Sequence, residues 1–196
     1  ARRVQRRMQV RQLENVASYL EVLRLEPAEL DLLFNELLIG VTEFFRNPEA
    51  FEALAREVVA KILAGRDPDD PVRIWVPGCA TGEEVYSIAI LLREAISTRD
   101  VRIVIYGTDI DANAVALARA GRFSKSPSGL SSERFDRWFV RDGDHYCPLK
   151  EIRDLCVFSV HSVIKDPPFS RLDLVSCRNL LIYLNGDVQH RVMETF

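Results

Sequence analysis

The chain has 196 residues, of which 47% are hydrophobic and 28% are charged, as in an ordinary globular protein. This composition excludes a disordered chain, and a formal net charge of -3 gives no reason to expect a nucleic-acid partner. The sequence shows no signal peptide and no long apolar run, so we expect no direct insertion into a membrane. The four cysteines form no CxxC pair, and no histidine stands at metal-ligand spacing to them. We therefore predict no metal site and a cytoplasmic protein with reduced thiols.

The first eleven residues carry five arginines and no acid. At helical spacing, Arg3, Arg7 and Arg11 share one face of a predicted helix. That face has two interpretations, an ordinary solvated surface or a docking surface for an acidic partner.

Leu-rich segments with helical periodicity follow, and a further helix is predicted to begin at Asn47-Pro48. The stretch GRDPDDP at 65–71 is rich in acids and in residues that break regular structure. We therefore predict an N-terminal helical domain over 1–64 and a second domain over 65–196.

Beyond residue 71, strand and helix patterns alternate, which is typical of βαβ units and a parallel sheet. Strands are predicted at 72–76, 101–106, 157–161 and 172–177, and helices at 85–96 and 112–120. Between about 122 and 155 the alternation breaks down, and the turn at 142–144 predicts a small antiparallel hairpin. A last helix, capped by Asn185 or Asp187, still runs at Phe196. The final strand would then lie at an uncovered edge, so we expect an incomplete domain that lacks its C-terminal strands.

The first of these strands leads into a turn with glycines at Gly78 and Gly82, and then into an amphipathic helix. This arrangement is typical of a nucleotide-type ligand site, although the spacing G-x-x-x-G differs from the dinucleotide fingerprint. Glu83 and Glu84 at the helix start would repel a pyrophosphate but suit a ligand with an ammonium group. They favour S-adenosylmethionine over a dinucleotide, unless they only complement the helix dipole.

Two later strand ends also carry polar residues. Asp109 stands where Rossmann-like folds place an acid that binds ribose hydroxyls, whereas Asp111 is predicted to cap the helix that begins at residue 112. After the last strand, Arg178 is placed to hold an acidic substrate by bidentate hydrogen bonds. Tyr183 is either a core aromatic or part of the same site.

Four segments in this order resemble the CheR-type chemoreceptor glutamate methyltransferases. They are VTEFFR at 41–46, GCATGEE with Tyr-Ser-Ile-Ala at 78–89, Thr-Asp-Ile-Asp at 108–111 and Cys-Arg-Asn-Leu-Leu-Ile-Tyr at 177–183. The resemblance runs in register over essentially the whole chain, including the RRxxRRM-like start at 2–8. The arginine-rich start also resembles members that are fused to other signalling domains.

The resemblance implies an α/β protein with an N-terminal helical domain and a Rossmann-like S-adenosylmethionine-dependent methyltransferase domain that carries the small antiparallel insertion. The implied reaction forms methyl esters on glutamates in the cytoplasmic helices of methyl-accepting chemoreceptors and leaves S-adenosylhomocysteine. The implied cofactor-binding residues are Thr42, Arg46, Gly78, Gly82, Glu83 or Glu84, Asp109, Ser162 and Asn179, and the implied catalytic residues beside the transferred methyl are Arg178 and Tyr183.

The chain departs from the family pattern at three places. Ser162 stands where an Asn is usual, which weakens the expected adenine contact, and Val85 stands where a Pro is frequent. We also expect the strands that usually complete the sheet to be missing from this chain. Two alternatives therefore stay open: a truncated or degenerate domain that binds cofactor or partners without turnover, and a methyltransferase that acts on RNA or a small molecule.

Overall fold

The computed structural model describes residues 2–37, 42–64, 67, 70–96, 101–124 and 128–196. The chain divides into two compact units, residues 1–40 and residues 41–196. Within the described residues, none of the helices combines the length and the apolar composition needed to cross a membrane.

In its described part, the first unit consists of helices α1 (Arg2–Val10), α2 (Val16–Leu25) and α3 (Pro27–Leu37). Asn15 begins α2 by accepting a hydrogen bond from the main-chain N–H of Ser18. Met8, Tyr19 and Leu33 form a small buried core. Such a core contributes little apolar burial, so the polar contacts of this unit matter for its stability.

The largest of these polar contacts surrounds Glu29, whose side chain is 2% exposed. Arg7 donates to both carboxylate oxygens, from Nε at 2.9 Å and from a terminal nitrogen at 2.6 Å. The Tyr19 hydroxyl donates to the same carboxylate at 2.9 Å. The hydrogen bonds from Arg7 are the main reason that the pKa of Glu29 lies below its ordinary value.

This cluster settles the direction of the arginine face on α1. Arg7 is 9% exposed, Arg11 pairs with Glu26 at 2.6 Å, and Arg3 donates to the main-chain oxygen of Glu36. Arg3 and Arg7 are therefore directed at α3, and the interpretation of this face as a solvated or docking surface is wrong for these two residues, while Arg11 stays exposed beside Glu26. Helical periodicity shows which residues share a face but not which way the face points.

In the second unit, the described residues include a parallel sheet of four strands and a separate antiparallel hairpin. The parallel strands are β1 (Val72–Pro77), β2 (Ile103–Asp109), β5 (Cys156–Val160) and β6 (Leu174–Val175), and their order in the sheet is β5-β2-β1-β6. The helices between them include α6 (Glu83–Ile96) and α7 (Ala112–Ala120). This architecture confirms the predicted α/β class with a parallel sheet. Because the strands are parallel, their carboxyl ends meet at one edge of the sheet.

The predicted antiparallel insertion is confirmed. Strands β3 (Phe139–Asp142) and β4 (His145–Pro148) form a hairpin. Helix α8 (Ser132–Trp138) precedes it and α9 (Lys150–Arg153) follows it. Phe139 is buried in the main core and anchors the hairpin there.

The helical segment after residue 47 belongs to the second unit. Helix α4 (Pro48–Ala53) continues through a π-helical stretch (Leu54–Val59) into α5 (Ala60–Leu63). Phe51, Val59 and Leu63 from this segment are buried in the same core as β1 and α6. The compact units thus divide at residue 40, whereas composition indicated a boundary between 1–64 and 65–196. Burial of these apolar side chains against the sheet outweighs the local helical pattern as a guide to where the unit begins.

The chain reaches its last described helix through a 3-10 turn (Leu181–Tyr183). Helix α10 (Gly186–Thr195) follows, and the Asn185 side chain caps it by accepting from the main-chain N–H of Val188 at 3.0 Å. Of the two residues predicted to begin this helix, Asn185 is the cap.

Candidate cofactor and acceptor site

Between β1 and α6 the main chain turns through residues 78–82 at the carboxyl edge of the sheet. Gly78, Ala80 and Gly82 have positive φ angles of 71°, 47° and 95°. A Cβ atom on Gly82 would lie 3.0 Å from the Cβ of Ala118 in α7, so close packing also requires glycine there. The turn leaves bare main chain where a ligand must approach closely.

Asp109, the last residue of β2, joins this turn to the neighbouring strand. Its carboxylate accepts hydrogen bonds from the main-chain N–H of Ala80 at 2.8 Å and of Asp111 at 3.0 Å. A carboxylate has about four acceptor positions, so Asp109 keeps capacity for hydroxyl donors. Asp111 accepts from the main-chain N–H groups of Asn113 and Ala114 and therefore caps α7, which confirms its predicted role.

Glu83 and Glu84 are adjacent in α6 but have different partners. Glu83 accepts from the Thr81 hydroxyl at 2.6 Å. Glu84 accepts from the Ser176 hydroxyl at 2.7 Å and pairs with the guanidinium of Arg178 at 3.4 Å. Burial is the main cause that raises the pKa of both carboxyls. Two half-buried acids with raised pKa values at a helix start indicate a site that favours a cationic group.

Residues 42–47 (TEFFRN), here called the 42–47 segment, are fastened to the start of α6. The main-chain N–H of Phe45 donates to the Ser87 hydroxyl at 3.0 Å, and that hydroxyl donates to the main-chain oxygen of Glu83 at 2.7 Å. Phe44 and Phe45 are 2% and 4% exposed, so both are core residues. Their burial fixes the main chain beside Thr42 and Arg46.

Arg178, after β6, is directed at the same segment. One terminal nitrogen donates to the main-chain oxygen of Arg46 at 2.6 Å and to the side-chain oxygen of Asn47 at 3.0 Å. The guanidinium carbon lies 5.1 Å from the centre of the Phe51 ring, within range of a cation–π contact. The predicted acid-binding arginine is thus engaged by groups of the chain itself.

A cavity of about 270 Å³ brings Thr42 and Glu83 together. Asp109 and Arg178, which were also predicted for the site, do not line it. The residues that line the cavity are Thr42, Glu43, Phe44, Thr81, Glu83, Leu117, Arg122, Phe123, Ser124 and Ser128.

Three predicted residues lie after the last two strands of the sheet. Ser162 forms a local turn in which its hydroxyl accepts from the main-chain N–H of Lys165 at 3.3 Å and its own N–H donates to Asp166 at 2.7 Å. Asn179 is exposed with a φ of 58°. Tyr183 is 56% exposed, so its interpretation as a core aromatic is wrong. A tyrosine in a short apolar run has no periodicity that would reveal its exposure.

Sequence reasoning missed the hydroxyl groups that support the site, which belong to Thr81, Ser87 and Ser176. Ser87 stands four residues after Glu83 inside an apolar stretch of α6 and is fully buried. A polar residue within the apolar face of a helix is the signal that was available, because buried hydroxyls require a partner. The partner itself, Phe45, is remote in sequence and could not be named from spacing.

The carboxylates at this edge fit S-adenosylmethionine. Glu83 and Glu84 suit an ammonium group, and the free acceptor positions of Asp109 suit ribose hydroxyls. A pyrophosphate would face like charges at the turn. The carboxylates at this edge therefore agree with the cofactor that the sequence indicates.

Comparison with known families gives the same assignment. Residues 1–38 match the family described as CheR methyltransferase, all-alpha domain. Residues 40–196 match the family described as CheR methyltransferase, SAM binding domain, so S-adenosylmethionine is the cofactor. The junction between the two matches coincides with the junction between the compact units.

Individual relatives cover the chain almost fully, while the chain spans only part of each of them. It is 40% identical to an uncharacterised 104.1 kDa protein of Rhodobacter capsulatus, and the match covers 98% of this chain and 21% of that protein. It is 32% identical to chemotaxis protein methyltransferase 2 of Pseudomonas aeruginosa, and the match covers 98% of this chain and 70% of that protein. It is 30% identical to a chemotaxis protein methyltransferase of Listeria innocua, and the match covers 85% of this chain and 63% of that protein. With both domain matches covering nearly every residue, the chain belongs to the CheR methyltransferase family.

Proposed function

We propose that this chain carries out methyl transfer from S-adenosylmethionine to glutamate side chains of bacterial chemoreceptors. The observation that carries the proposal is the cavity shared by Thr42 and Glu83 beside a glycine turn that Asp109 holds in place. The names of the Pseudomonas and Listeria relatives, which are chemotaxis methyltransferases, support the acceptor class.

Each of the site residues has a proposed task. Glu83 and Thr42 bind the amino-acid end of the cofactor, and Asp109 binds its ribose. The glycines at Gly78 and Gly82 allow the main chain to approach it closely. When bound, the cofactor supplies an electrophilic methyl group on a sulfonium. Further proposed contacts come from Arg46, Glu84, Ser162 and Asn179, with Arg178 and Tyr183 beside the transferred methyl.

The acceptor needs no general base. A free glutamate has a pKa of about 4.3 and is already ionised at neutral pH. The work of the chain is therefore to orient the acceptor carboxylate and to exclude water. Orientation of reacting groups alone contributes on the order of 7–11 kcal/mol.

The proposed partner is the acidic cytoplasmic helix of a receptor. Arg3 and Arg7 are turned inward and Arg11 is paired with Glu26, whereas Arg2 and Arg6 of α1 are exposed. We place the attraction of the receptor there, and we place the protein in the cytoplasm, where its four free cysteines stay reduced.

The proposal is tested by incubating the chain with labelled S-adenosylmethionine and either receptor cytoplasmic fragments or RNA. We expect label on the receptor fragments, released as methanol by mild base because esters of glutamate are base-labile. Stable label on RNA, or label on neither acceptor, would contradict the proposal.

A degenerate domain that binds cofactor or partners without turnover is the second candidate. Ser162 favours it, because its hydroxyl is already part of a local turn and it lacks the amide usual at this place, which weakens the adenine contact that turnover needs. Calorimetry with S-adenosylhomocysteine alongside the transfer assay separates the two functions. Heat of binding together with no transfer to any receptor fragment would support the second candidate.

A further inference from the structure

Arg178 has a different part in this site from the one its sequence position indicates. We propose that Arg178 is a positioning residue, which holds the 42–47 segment in the shape that binds the cofactor, and that it does not orient the acceptor carboxylate. The inference rests on the proposed function, because it assigns a role within that same site.

The 42–47 segment has a main chain that does not hold its shape unaided. Phe45 and Asn47 have φ angles of 49° and 60°, in the left-handed region that residues with a Cβ seldom adopt. Arg46 lies between them. Such conformations persist only where the surroundings fix them.

The contacts of Arg178 fall on this strained stretch. Its terminal nitrogen reaches the main-chain oxygen of Arg46 at 2.6 Å and the side-chain oxygen of Asn47 at 3.0 Å. The Ser87 hydroxyl fixes the preceding residue through the N–H of Phe45. Arg178 and Ser87 thus hold the segment from two sides, from the residues after β6 and from α6.

Other residues of the chain fix the position of the Arg178 side chain. Glu84 pairs with it at 3.4 Å and is fixed in turn by the Ser176 hydroxyl at 2.7 Å. The Phe51 ring covers the guanidinium, and the side chain is 25% exposed. An arginine bound to a carbonyl, an amide and a carboxylate of its own chain has little donor capacity left for a bidentate grip on an acceptor acid.

The two roles predict different losses. A positioning role predicts that removing Arg178 weakens cofactor binding, because Thr42 and Arg46 lose their place. A role in orienting the acceptor predicts a higher KM for the receptor with unchanged cofactor affinity. Asn47 distinguishes them further, since it contacts Arg178 and neither role gives it a contact with the acceptor.

The test measures the Kd for S-adenosylhomocysteine by calorimetry for Arg178→Ala, Arg178→Lys and Asn47→Gly. Glycine at 47 keeps the left-handed conformation and removes the side-chain acceptor. We expect Kd to rise about tenfold or more for Arg178→Ala, less for Arg178→Lys, and roughly two- to fivefold for Asn47→Gly. Arg56→Ala, an exposed arginine of the same unit paired with Glu57, is the matched control and should leave Kd unchanged.

Hydrogen exchange at the Phe45 amide gives a second readout that needs neither ligand nor acceptor. It should accelerate in Arg178→Ala and Asn47→Gly and stay at the wild-type rate in Arg56→Ala. Unchanged exchange and unchanged Kd in both variants, with a raised KM for the receptor, would overturn the proposal. If wild-type chain binds S-adenosylhomocysteine but methylates no receptor, the proposed acceptor fails while these measurements still decide the role of Arg178.

Discussion

Each of the two compact units places a glutamate beside an arginine, and the two glutamates differ in how many hydrogen bonds they receive. In the helical unit, Glu29 receives two hydrogen bonds from Arg7 and one from Tyr19. In the second unit, Glu84 receives one hydrogen bond from Ser176 and lies at the longer distance of 3.4 Å from Arg178.

The pKa values of these acids move in opposite directions for that reason. The hydrogen bonds from Arg7 outweigh burial and lower the pKa of Glu29. Burial outweighs Ser176 and Arg178 and raises the pKa of Glu84, and it does the same to Glu83 beside it. The carboxylate of Glu29, whose hydrogen bonds come from Arg7 and Tyr19, stabilises the fold. Glu83 and Glu84 have fewer hydrogen-bond partners and can therefore bind a cationic ligand.

The largest expected effect comes from breaking the saturated pair. Glu29→Ala should destabilise the helical unit by about 3 kcal/mol, because it leaves the buried Arg7 with only its longer contact to Glu36 at 3.5 Å. Urea denaturation followed by far-UV circular dichroism should show early loss of helix. Trp75 and Trp138 both lie in the second unit, so tryptophan emission reports that unit separately. A helix signal identical to that of the wild type would contradict the assigned role of Glu29.

The sign of the pH dependence follows from the lowered pKa. The contribution of Glu29 is complete above about pH 4.3, the ordinary titration of glutamate, and is lost as the pH falls through its lower folded-state pKa.

The sequence was a good guide to this architecture at the ends of strands. Alternation of strand and helix patterns placed Asp109 and Glu83 correctly at the same edge of the sheet, because parallel strands leave no other arrangement. It was a poor guide to direction and to remote partners. The face of α1 was recognised but not its inward orientation, and the contacts of Arg178 span more than 130 residues of sequence. Such pairings depend on how the elements pack and leave no local pattern.

The unsaturated acids of the second unit provide the next effect. Glu83→Gln should weaken S-adenosylhomocysteine binding roughly ten- to hundredfold at neutral pH, since a hydrogen bond to a charged group is lost. Glu84→Gln should cost less, because its charge is already shared with Arg178. Calorimetry on both variants makes the comparison.

The raised pKa of Glu83 adds a pH signature. Binding of an ammonium group requires the ionised carboxylate, so the affinity of wild type should fall as the pH is lowered, beginning above about pH 4.3, where an ordinary glutamate titrates. Glu83→Gln should flatten this profile. A profile in the variant as steep as in wild type would mean that another group contacts the ammonium.

The smallest effect is expected from charges on α1 that the fold leaves exposed. Arg2→Glu with Arg6→Glu should change the free energy of unfolding by no more than about 0.5 kcal/mol, because neither side chain is buried. Cofactor affinity should not change. Methylation of receptor fragments should fall several-fold at low salt, and the difference should shrink at physiological salt, because exposed charges act mainly on the rate of encounter and are screened by salt.

The matched reversal Arg7→Glu would place two acids against each other beside Tyr19 and disrupt the helical unit itself, so it cannot report on docking. Equal methylation by the double variant and wild type at low salt would show that the receptor approaches another surface.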